Sequence, residues 1–350
     1  MAGLSRTVRI LKNDKLPVAS PRNRRNLPKK TAKERLQEFW NIFDKDDEVL
    51  IVISADPDSL AGGMAVKRLL RYRVKSVTIG YLNEIRRLSN LSMLELLKIP
   101  AERMKVLKTD KFNKYLIVDS QPLHNPGFEE ISYSAVIDHH PVTQGWQATY
   151  VDIRPEYGAT ASMMVEYLRA AEIKPSVALA TALFYAIKVD TQNFEKKCQL
   201  ADAISFRYLF NIANQNLVRK IELSELRKSE LNYFKTAFSE MKISKNRLYA
   251  HVGRVRTPDV LVIIADFFKR VHEVSWVFVS GIHGEKLVVI FRCDGYKKNA
   301  GILAAKTFGQ IGAAGGHRES ARAEVPLKNL PKHDQDFNTK TLRRLTGRHL

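Results

Sequence analysis

Apolar runs that stop at acidic residues recur along the first half of this chain. Residues 49–53 are an apolar run that ends near Asp56 and Asp58, and residues 115–118 are another that ends at Asp119. A short apolar run bounded by turn residues is typical of a buried strand. The small, apolar residues after Asp58 then predict a helix. The pattern therefore predicts strands of an α/β sheet, each followed by carboxylates.

The same pattern continues downstream. Residues 135–137 form an apolar run that leads into Asp138, His139 and His140. An apolar helix predicted over residues 176–188 then delivers Asp190. In an open parallel sheet, ligands bind beyond the carboxyl ends of the strands, so these distant side chains are expected to meet there.

Such a cluster of carboxylates predicts a metal site, because crowded carboxylates repel one another unless a cation lies between them. Oxygen ligands favour Mg²⁺ or Mn²⁺, and an imidazole among them shifts the preference toward Mn²⁺. We therefore predict Mn²⁺, with Mg²⁺ as the alternative. A carboxylate that bridges two ions roughly 3.5–4 Å apart gives an arrangement that hydrolyses phosphate esters, so two ions are expected. A single Asp after a strand is more often a helix N-cap, and the prediction depends on all four segments together.

These four segments resemble the motifs of the DHH phosphoesterase superfamily, whose members include RecJ-type exonucleases, nano-RNases, cyclic dinucleotide phosphodiesterases and family II pyrophosphatases. The resemblance covers roughly residues 48 to 328. It implies that Asp138 and His140 are catalytic residues that face the substrate or orient the metal ligands. It also implies a set of metal ligands, with Asp119 bridging two ions: Asp56, Asp58, Asp119, His139 and Asp190.

One position departs from the family pattern. Many members carry a His four residues before the first Asp of the first motif, where it completes one metal site, but Val52 occupies that position here. This predicts that one site is weaker or is completed by another residue. His124 is the candidate substitute, although a solvated loop histidine is the more common role for such a residue.

The second half carries a different motif. Residues 286–292 predict a strand ending at Arg292, residues 299–308 predict a helix, and residues 309–318 predict a glycine-rich loop before a final strand. Glycines let backbone N–H groups approach an anion, and Arg and His add charged donors. The pattern resembles the substrate domain named DHHA1, which implies four substrate-binding residues: Arg292, Gly315, Gly316 and His317.

The length of 350 residues predicts two domains. We expect an α/β fold in which a parallel-sheet DHH domain is joined by a helical linker to a smaller α/β DHHA1 domain, with a hinge that closes the cleft. The predicted bounds are a basic flexible arm at 1–30, the DHH domain at 31–222, the linker at 223–245, the DHHA1-like domain at 246–330 and a basic tail at 331–350. Thr31 and Glu34 predict a capping box that opens the first helix.

Charge is concentrated at the chain ends. The chain has 57 Lys and Arg against 37 Asp and Glu, a net charge of +20. Residues 1–35 hold eleven basic and two acidic residues, and residues 331–350 hold five and two. We expect either nucleic-acid contact or simple solvation at these ends. The remaining excess predicts a basic cleft that attracts polyanionic substrates.

The number of cysteines and the length of the apolar runs bear on the compartment and on membrane association. Cys198 and Cys293 are too few and too distant for a disulfide framework or a zinc site, which favours buried thiols in a reducing compartment. No apolar run reaches the ~20 residues that span a bilayer, so no membrane contact is expected and cytoplasm is the preferred location.

The favoured hypothesis is a metal-dependent phosphodiesterase that hydrolyses short oligonucleotides, as nano-RNases and exonucleases do. Cyclic dinucleotides or 3′-phosphoadenosine 5′-phosphate are alternative substrates. A family II pyrophosphatase is disfavoured because the glycine-rich loop suits a DHHA1 domain. A catalytically weakened, nucleic-acid-binding regulatory protein is the second class of hypothesis. The direction of attack, a homodimer and the choice between RNA and DNA stay open.

Overall fold

The computed structural model describes residues 30–85, 87–106, 109–195, 198–331 and 336–347. The described chain divides into two compact units. The first contains residues 30–85 and 90–221, and the second contains residues 87–89 and 222–347. Each unit is an α/β structure with its own sheet and its own hydrophobic cores.

The first unit is built on a six-stranded parallel sheet in the order β3-β2-β1-β4-β5-β6. The chain runs outward from β1 in one direction and then from β4 in the other, so the strand order reverses between these two neighbours. Ligands of open parallel sheets bind at such a switch point. The strands are β1 (Glu48–Ile53), β2 (Ser76–Tyr81), β3 (Ala101–Arg103), β4 (Lys114–Val118), β5 (Ala135–Asp138) and β6 (Tyr150–Ile153).

Helices and irregular segments cover the two faces of this sheet. The helices form the main core with alternate residues of β1, namely Val49, Ile51 and Ile53. The intervening residues, including Val52, pack on the other face against residues from the segments between 104 and 148. The helices are α1 (Ala32–Trp40), α2 (Pro57–Leu70), α3 (Leu88–Leu96), α4 (Thr160–Ala170), α5 (Val177–Asp190), α6 (Leu200–Phe210) and α7 (Gln215–Glu222), with 3₁₀ turns at Met104–Val106 and Thr109–Lys111.

The predicted capping box of α1 is confirmed. The Thr31 hydroxyl accepts from the Glu34 N–H at 3.2 Å, and the Glu34 carboxylate accepts from the Thr31 N–H at 2.7 Å. Both bonds satisfy N–H groups that a helix start leaves without intrahelical partners. The apolar face of α1 buries Leu36 and Phe39 in the main core of the first unit, as the sequence predicts.

The second unit is built on a mixed six-stranded sheet in the order β11-β12-β10-β9-β8-β7. The pair β8 and β9 is parallel, and the other neighbours are antiparallel. The strands are β7 (Lys242–Ser244), β8 (Arg247–Arg254), β9 (Trp276–His283), β10 (Lys286–Cys293), β11 (Ala313–Gly316) and β12 (Ser320–Pro326).

Two helix pairs enclose this sheet. One pair, α8 (Leu231–Glu240) and α9 (Asp259–Phe268), packs on the face that carries Val288 and Ile290. The other pair, α10 (Ala300–Phe308) and α11 (Thr339–Gly347), packs on the opposite face, which carries Val289 and Phe291. Short 3₁₀ turns lie at Lys228–Glu230 and Leu327–Asn329.

The predicted fold class is confirmed: the protein is a mixed α/β structure with a parallel sheet and a second, smaller α/β unit. Details of the second unit differ from the sequence prediction. The segment at 223–245 holds α8 and also β7, which pairs with β8 and so belongs to the sheet. Residues 313–316 of the predicted glycine-rich loop are strand β11.

The chain ends also differ from the prediction. Apart from Lys30, the predicted basic arm lies outside the described residues. The described part of the predicted tail contains α11, which is fixed to the second unit because Leu342 is fully buried in its core. Cys198 is half-buried and Cys293 is buried, and both are free thiols. Within the described ranges, no helix has the length and apolar character that crossing a bilayer requires.

Candidate metal centre

Four of the predicted metal ligands converge at the switch point of the first unit. Asp58 lies in the first turn of α2 just after β1, Asp119 directly follows β4, His139 directly follows β5, and Asp190 ends α5. The Nε2 atom of His139 lies 3.8 Å from Oδ2 of Asp58, 3.5 Å from Oδ1 of Asp119 and 3.4 Å from Oδ2 of Asp190. Three carboxylates thus surround one imidazole nitrogen.

The imidazole of His139 is oriented by a hydrogen bond on the side of the ring that faces away from the carboxylates. Its Nδ1 lies 3.2 Å from the backbone carbonyl oxygen of Tyr157, which can only accept, so Nδ1 carries the proton and donates it. That leaves Nε2 as the nitrogen that faces the carboxylates. Nε2 is buried and has no hydrogen-bond partner among the described residues. A histidine that donates one N–H to a carbonyl and directs its other nitrogen into a cluster of acids has the arrangement of a metal ligand.

The carboxylate of Asp58 is held by the start of α4. Its two oxygens accept from the backbone N–H groups of Thr160 at 2.6 Å and Ala161 at 2.8 Å. The N-cap residue of α4, Ala159, offers no side-chain cap, so Asp58 supplies one from a distant part of the chain. Because N–H groups at a helix start favour an anion, this contact fixes the carboxylate and stabilises α4.

Asp119 is fixed by the same helix start and by an unusual backbone conformation. Its Oδ1 accepts from the Thr160 hydroxyl at 2.8 Å, and its N–H donates to the Ile137 carbonyl at 2.8 Å. Its φ of 61° lies in the left-handed region, which Asp tolerates better than most residues. The turn after β4 therefore directs this buried carboxylate toward His139.

Asp190 is the most accessible of the four ligands, with 26% of its side chain exposed. It is the last residue of α5, and the chain after it turns sharply through three residues with positive φ: Gln192, Asn193 and Phe194. The Asn193 N–H donates to the Lys188 carbonyl at 2.9 Å, which closes the helix end. Consecutive left-handed residues other than glycine are strained, so this turn holds Asp190 in place at a cost.

Asp56 is placed differently from the other predicted ligands. It is the N-cap of α2, and its Oδ1 accepts from the Ser59 N–H at 2.9 Å. It is absent from the three groups of described residues whose ligand atoms lie within 4.8 Å of one another. The structure thus gives Asp56 a capping contact, and its role as a metal ligand stays a prediction.

The predicted catalytic residues Asp138 and His140 form a close pair. His140 Nδ1 lies 2.8 Å from Oδ1 of Asp138, whose other oxygen accepts from the Gln121 amide at 2.6 Å. Asp138 is fully buried, whereas the side chain of His140 is 44% exposed. His124 lies near this pair, with Nδ1 4.0 Å from Asp138 Oδ2.

The electrostatics of the four-ligand cluster favour extra positive charge. Burial, followed by the charge of Asp190, raises the pKa of Asp58 to about 7. Burial, followed by the charge of Asp58, raises the pKa of Asp119 well above its usual range. Burial alone would lower the pKa of His139, but the contact with Asp190 and the charge of Asp58 outweigh it and raise that pKa to about 9. Without a cation, the cluster therefore holds protons.

The Asp138–His140 pair differs from this cluster, because each group shifts the pKa of its partner in favour of the charged form. The hydrogen bond with Asp138 raises the pKa of His140. Burial would raise the pKa of Asp138, but its bonds with His140 and Gln121 outweigh burial and lower it. A buried carboxylate thus favours the protonated form of a half-exposed imidazole beside the four clustered residues.

The donor set fits a divalent cation. A protein ligand to a metal must be deprotonated, and a cation can replace the protons that the crowded carboxylates otherwise take up. Carboxylate oxygens with one imidazole suit Mn²⁺ or Mg²⁺, and the buried, unpartnered Nε2 of His139 is the atom that such an ion would satisfy.

A buried polar network supports the segment that orients His139. Arg154 donates to both carboxylate oxygens of Asp152 and, at 2.6 Å, to Glu166. Glu166 also accepts from the Tyr157 hydroxyl at 2.6 Å. Because the Tyr157 carbonyl accepts from His139, this network links the core of the first unit to a ligand of the cluster.

The predicted substrate residues of the second unit lie at one end of its sheet. Arg292 is paired in register with Ser320, whose carbonyl accepts from the His317 N–H at 2.8 Å. His317 is exposed. The guanidinium of Arg292, however, donates to Asp266 at 2.6 Å, so it already has an anionic partner.

The two glycines of this segment have different surroundings. Gly316 has a φ of 150°, and a Cβ there would lie 2.5 Å from the Ala321 Cα. A Cβ on Gly315 would meet no atom within 4 Å. The fold thus requires glycine at 316, whereas at 315 the missing side chain leaves backbone open to a ligand.

Several residues that contact the predicted site residues are not themselves predicted from the sequence. Thr160 touches two ligands, and Gln121 bridges Asp138 to the backbone N–H of Thr143 at 2.7 Å. The carbonyl of Tyr157 and the carboxylate of Asp266 complete the set. Gln121 could have been predicted as a site residue because it lies two positions after Asp119 in the sequence. A contact made by a backbone carbonyl could not, because it does not depend on the residue type.

Comparison with known proteins identifies the fold. No protein-family model matches the chain. The chain is 32% identical over 281 residues to the uncharacterized protein MJ1633 of Methanocaldococcus jannaschii, over 80% of this chain and 58% of that protein. The chain therefore spans less than two thirds of that relative.

Among solved structures, an exopolyphosphatase-related protein from Bacteroides fragilis superposes with a TM-score of 0.64 at 15% identity, covering 92% of this chain and 98% of that one. The manganese-bound exonuclease RecJ gives a TM-score of 0.46 at 14% identity, covering 92% and 96%. The first of these superpositions shows a shared fold. The two-unit α/β fold is thus common to this chain and that protein, and the likeness to DHH motifs stays a resemblance of sequence.

Proposed function

We propose that this chain is a metal-dependent phosphoester hydrolase whose substrates are short oligonucleotides. The observation that carries this proposal is the position of His139. Its buried Nε2 has no hydrogen-bond partner among the described residues and lies 3.4–3.8 Å from carboxylate oxygens of Asp58, Asp119 and Asp190. A divalent cation in such a site lowers the pKa of water and neutralises charge on a phosphoryl group.

The protein groups have distinct tasks in this proposal. Asp58, Asp119, His139 and Asp190 hold the cation, and the hydrogen bonds from the start of α4 keep the first two carboxylates aimed. His140 faces the substrate in this proposal, because Asp138 holds its Nδ1 and leaves the other ring nitrogen available, and the same contact raises the pKa of the imidazole. From there it donates to a phosphoryl oxygen or to the leaving oxygen.

We infer that two ions bind with unequal affinity. Asp119 is the proposed bridging ligand, and Asp56 is the proposed further ligand of the second ion. Val52, which stands where many relatives of this fold have a His, is fully buried in an apolar cluster and supplies no donor. His124 lies with Asp138 and His140, so it is the nearby imidazole for a substitute role.

The proposed substrate class rests on the second unit. The open backbone at Gly315 and the exposed His317 suit a terminal phosphate or nucleotide. Arg292 contributes to this site only if substrate competes with Asp266 for its guanidinium. Cyclic dinucleotides and 3′-phosphoadenosine 5′-phosphate present the same phosphate chemistry and are the alternative substrates.

The test is hydrolysis of a labelled dinucleotide with and without Mn²⁺. We expect mononucleotide release in Mn²⁺, none in chelator, and none from an Asp119→Asn variant that still folds. A panel of longer RNA and DNA oligomers, cyclic dinucleotides, 3′-phosphoadenosine 5′-phosphate and pyrophosphate ranks the substrates. Metal-dependent cleavage of pyrophosphate alone would reject the oligonucleotide proposal.

A second candidate function, a nucleic-acid-binding regulatory protein, is favoured by Val52, which supplies no donor, and by the capping contact that occupies one carboxylate oxygen of Asp56. Both observations are consistent with a weakened metal centre. Tight oligonucleotide binding, combined with no hydrolysis of any substrate in the panel at saturating Mn²⁺, would support this candidate over the enzyme.

A further inference from the structure

The second unit carries a groove lined almost entirely by basic side chains. Its volume is about 400 Å³, and no Asp or Glu lines it. Its walls come from β7 and α11, and the lining residues are Lys242, Lys340, Arg343, Arg344 and Gly347. The groove lies wholly within the second unit and shares no residue with the sites described above.

The basic side chains of α11 form one stripe of the helix. Lys340, Arg343, Arg344 and Gly347 follow the spacing i, i+3, i+4 and i+7, which places residues on one helical face. All four are exposed, whereas Leu342 on the opposite face is fully buried. The basic residues of this stripe, from Lys340 to Arg344, span about 6 Å at 1.5 Å per residue.

The helix is firmly attached, so the stripe has a fixed direction. The Asn338 side chain accepts from the N–H groups of Lys340 and Thr341, which caps the helix start. The Thr339 hydroxyl accepts from the His251 N–H of β8 at 3.0 Å. Lys242 of β7 then faces the stripe across the groove.

Three of the four cations that line the groove are uncompensated by an ion pair with any described residue. Lys242, Lys340 and Arg343 form no ion pair with the described part of the chain. Neither α11 nor β7 contains an acidic residue; Glu240 and Asp336 are the nearest in sequence. Like charges held close together repel one another, and an anion that spans several of them relieves that repulsion.

We propose that this groove binds the phosphodiester backbone of a nucleic acid without reading its bases. The lining offers four charged donors, three of them along about 6 Å of α11 and the fourth from Lys242 on β7, which suits a polyanion better than a single phosphate. It contains no aromatic side chain on which a base could stack and no Asn or Gln for base edges. The site is separate from the candidate metal centre, so binding does not require hydrolysis.

The test measures salt-dependent binding of the full chain to a fluorescein-labelled DNA duplex by fluorescence anisotropy, in chelator to prevent cleavage. One variant combines Lys242→Gln, Lys340→Gln and Arg343→Gln. The matched control removes the same charge from exposed residues of the second unit outside the groove, with Lys235→Gln, Lys306→Gln and Lys328→Gln. Circular dichroism checks that both variants fold.

We expect the groove variant to lose affinity for duplexes of different sequence equally. The slope of log K against log salt should become less negative by about 3, because each phosphate contact contributes about 0.9. The control triple should keep most of the slope. Single substitutions at Lys340 or Arg343 should each change it by about 1.

Three results would overturn the proposal. The first is an equal change of slope in the groove and control variants, which would mean general charge attraction. The second is sequence-dependent loss, which would mean base readout. The third is binding of anionic phospholipid vesicles with no duplex binding, which would make the groove a membrane surface. Loss of dinucleotide hydrolysis with retained duplex binding would reject the proposed function but not this one.

Discussion

The first unit concentrates acidic side chains at its candidate site, whereas the second presents backbone and basic side chains. In the first unit, Asp58, Asp119 and Asp190 converge on His139 from different strand and helix ends. In the second, Gly315 leaves backbone open and Arg292 is already paired with Asp266.

The two sites therefore bind their ligands through different groups, one through buried side chains and the other through backbone and surrounding charge. A cluster of buried carboxylates is stable only with protons or a cation, so its chemistry is fixed by side chains. A glycine segment is stable by itself and acquires a ligand through exposed N–H groups and surrounding charge. Substitutions should therefore affect metal binding in one unit and substrate affinity in the other.

The largest expected effect comes from Asp119→Asn. The amide oxygen can still accept from the Thr160 hydroxyl, so the fold should persist, but the anionic ligand is lost. We expect hydrolysis to fall by about 10³-fold or more, as for loss of a principal catalytic group. Turnover and Mn²⁺ calorimetry provide the measurement. Near-natural turnover in Mn²⁺ would contradict the metal assignment.

His317→Ala tests the second unit alone. Losing a charge-assisted hydrogen bond costs about 1.5–3 kcal/mol, so kcat/KM on a dinucleotide should fall by roughly ten- to a hundredfold. Metal content should not change. Hydrolysis of the small ester bis-p-nitrophenyl phosphate serves as the control and should be nearly unaffected. Equal losses on both substrates would contradict the proposal that the first unit binds the metal and the second unit binds the substrate.

Glu166→Gln tests whether the buried network positions His139. Glu166 accepts from Arg154 and from the Tyr157 hydroxyl, and the Tyr157 carbonyl orients the imidazole. Outer partners of metal ligands contribute about 10- to 100-fold to metal affinity, and this contact lies one step further out, so we expect about tenfold weaker Mn²⁺ binding.

The control for this network is Glu156→Gln, which removes the same charge one residue before Tyr157. Both variants are compared by Mn²⁺ calorimetry and by urea unfolding in chelator. Weaker Mn²⁺ binding with little change in unfolding would support positioning. An equal effect of both substitutions on Mn²⁺ affinity would mean that only the net charge matters.

The adjacent glycines of β11 should respond in opposite ways. Gly316→Ala should destabilise the second unit by about 1–3 kcal/mol, because the new Cβ would meet the Ala321 backbone and the φ of 150° favours glycine. Gly315→Ala should leave the unfolding free energy unchanged and weaken substrate binding. Urea unfolding and dinucleotide KM separate the two. A stable Gly316→Ala variant would contradict the described strand geometry.

A further expected effect is an opposite pH dependence of the two units in chelator. Burial lowers the pKa of His251 from its ordinary value of 6.5 to about 4. Between these two pH values the unfolded chain therefore binds more protons than the folded chain. The second unit should therefore gain about 1–3 kcal/mol as pH rises from 4 to 6.5.

The first unit should lose stability over a similar range. The pKa of Asp58 is raised from 3.8 to about 7, so the folded state binds more protons and its advantage disappears as pH rises through that window. Hydrogen exchange of peptides from α4 and β8, corrected for intrinsic rates, measures each unit. His251→Gln should abolish the dependence in the second unit only. The same sign in both units would contradict this contrast.

Sequence reasoning was sufficient where side chains follow apolar runs. Asp119 and His139 come directly after strands, Asp58 lies in the first turn of the helix that follows β1, and a parallel sheet brings the carboxyl ends of neighbouring strands together. The metal cluster was therefore predictable from the position of those runs. Asp56 fits the same motif and also caps α2, because a residue at a helix start can accept from the first N–H groups of that helix, and its role as a metal ligand stays a prediction.

Only the tertiary structure could decide the contacts made by backbone atoms and by distant partners. The Tyr157 carbonyl, the cap that Asp58 gives α4 and the pairing of Arg292 with Asp266 join residues with no signature in sequence. The sequence likewise predicts that residues 331–350 are basic. Only the structure shows that Leu342 is buried, which fixes the helix in their described part and places its basic side chains on one exposed face. Composition and periodicity determine which residues are charged or apolar, whereas packing determines where each charge points.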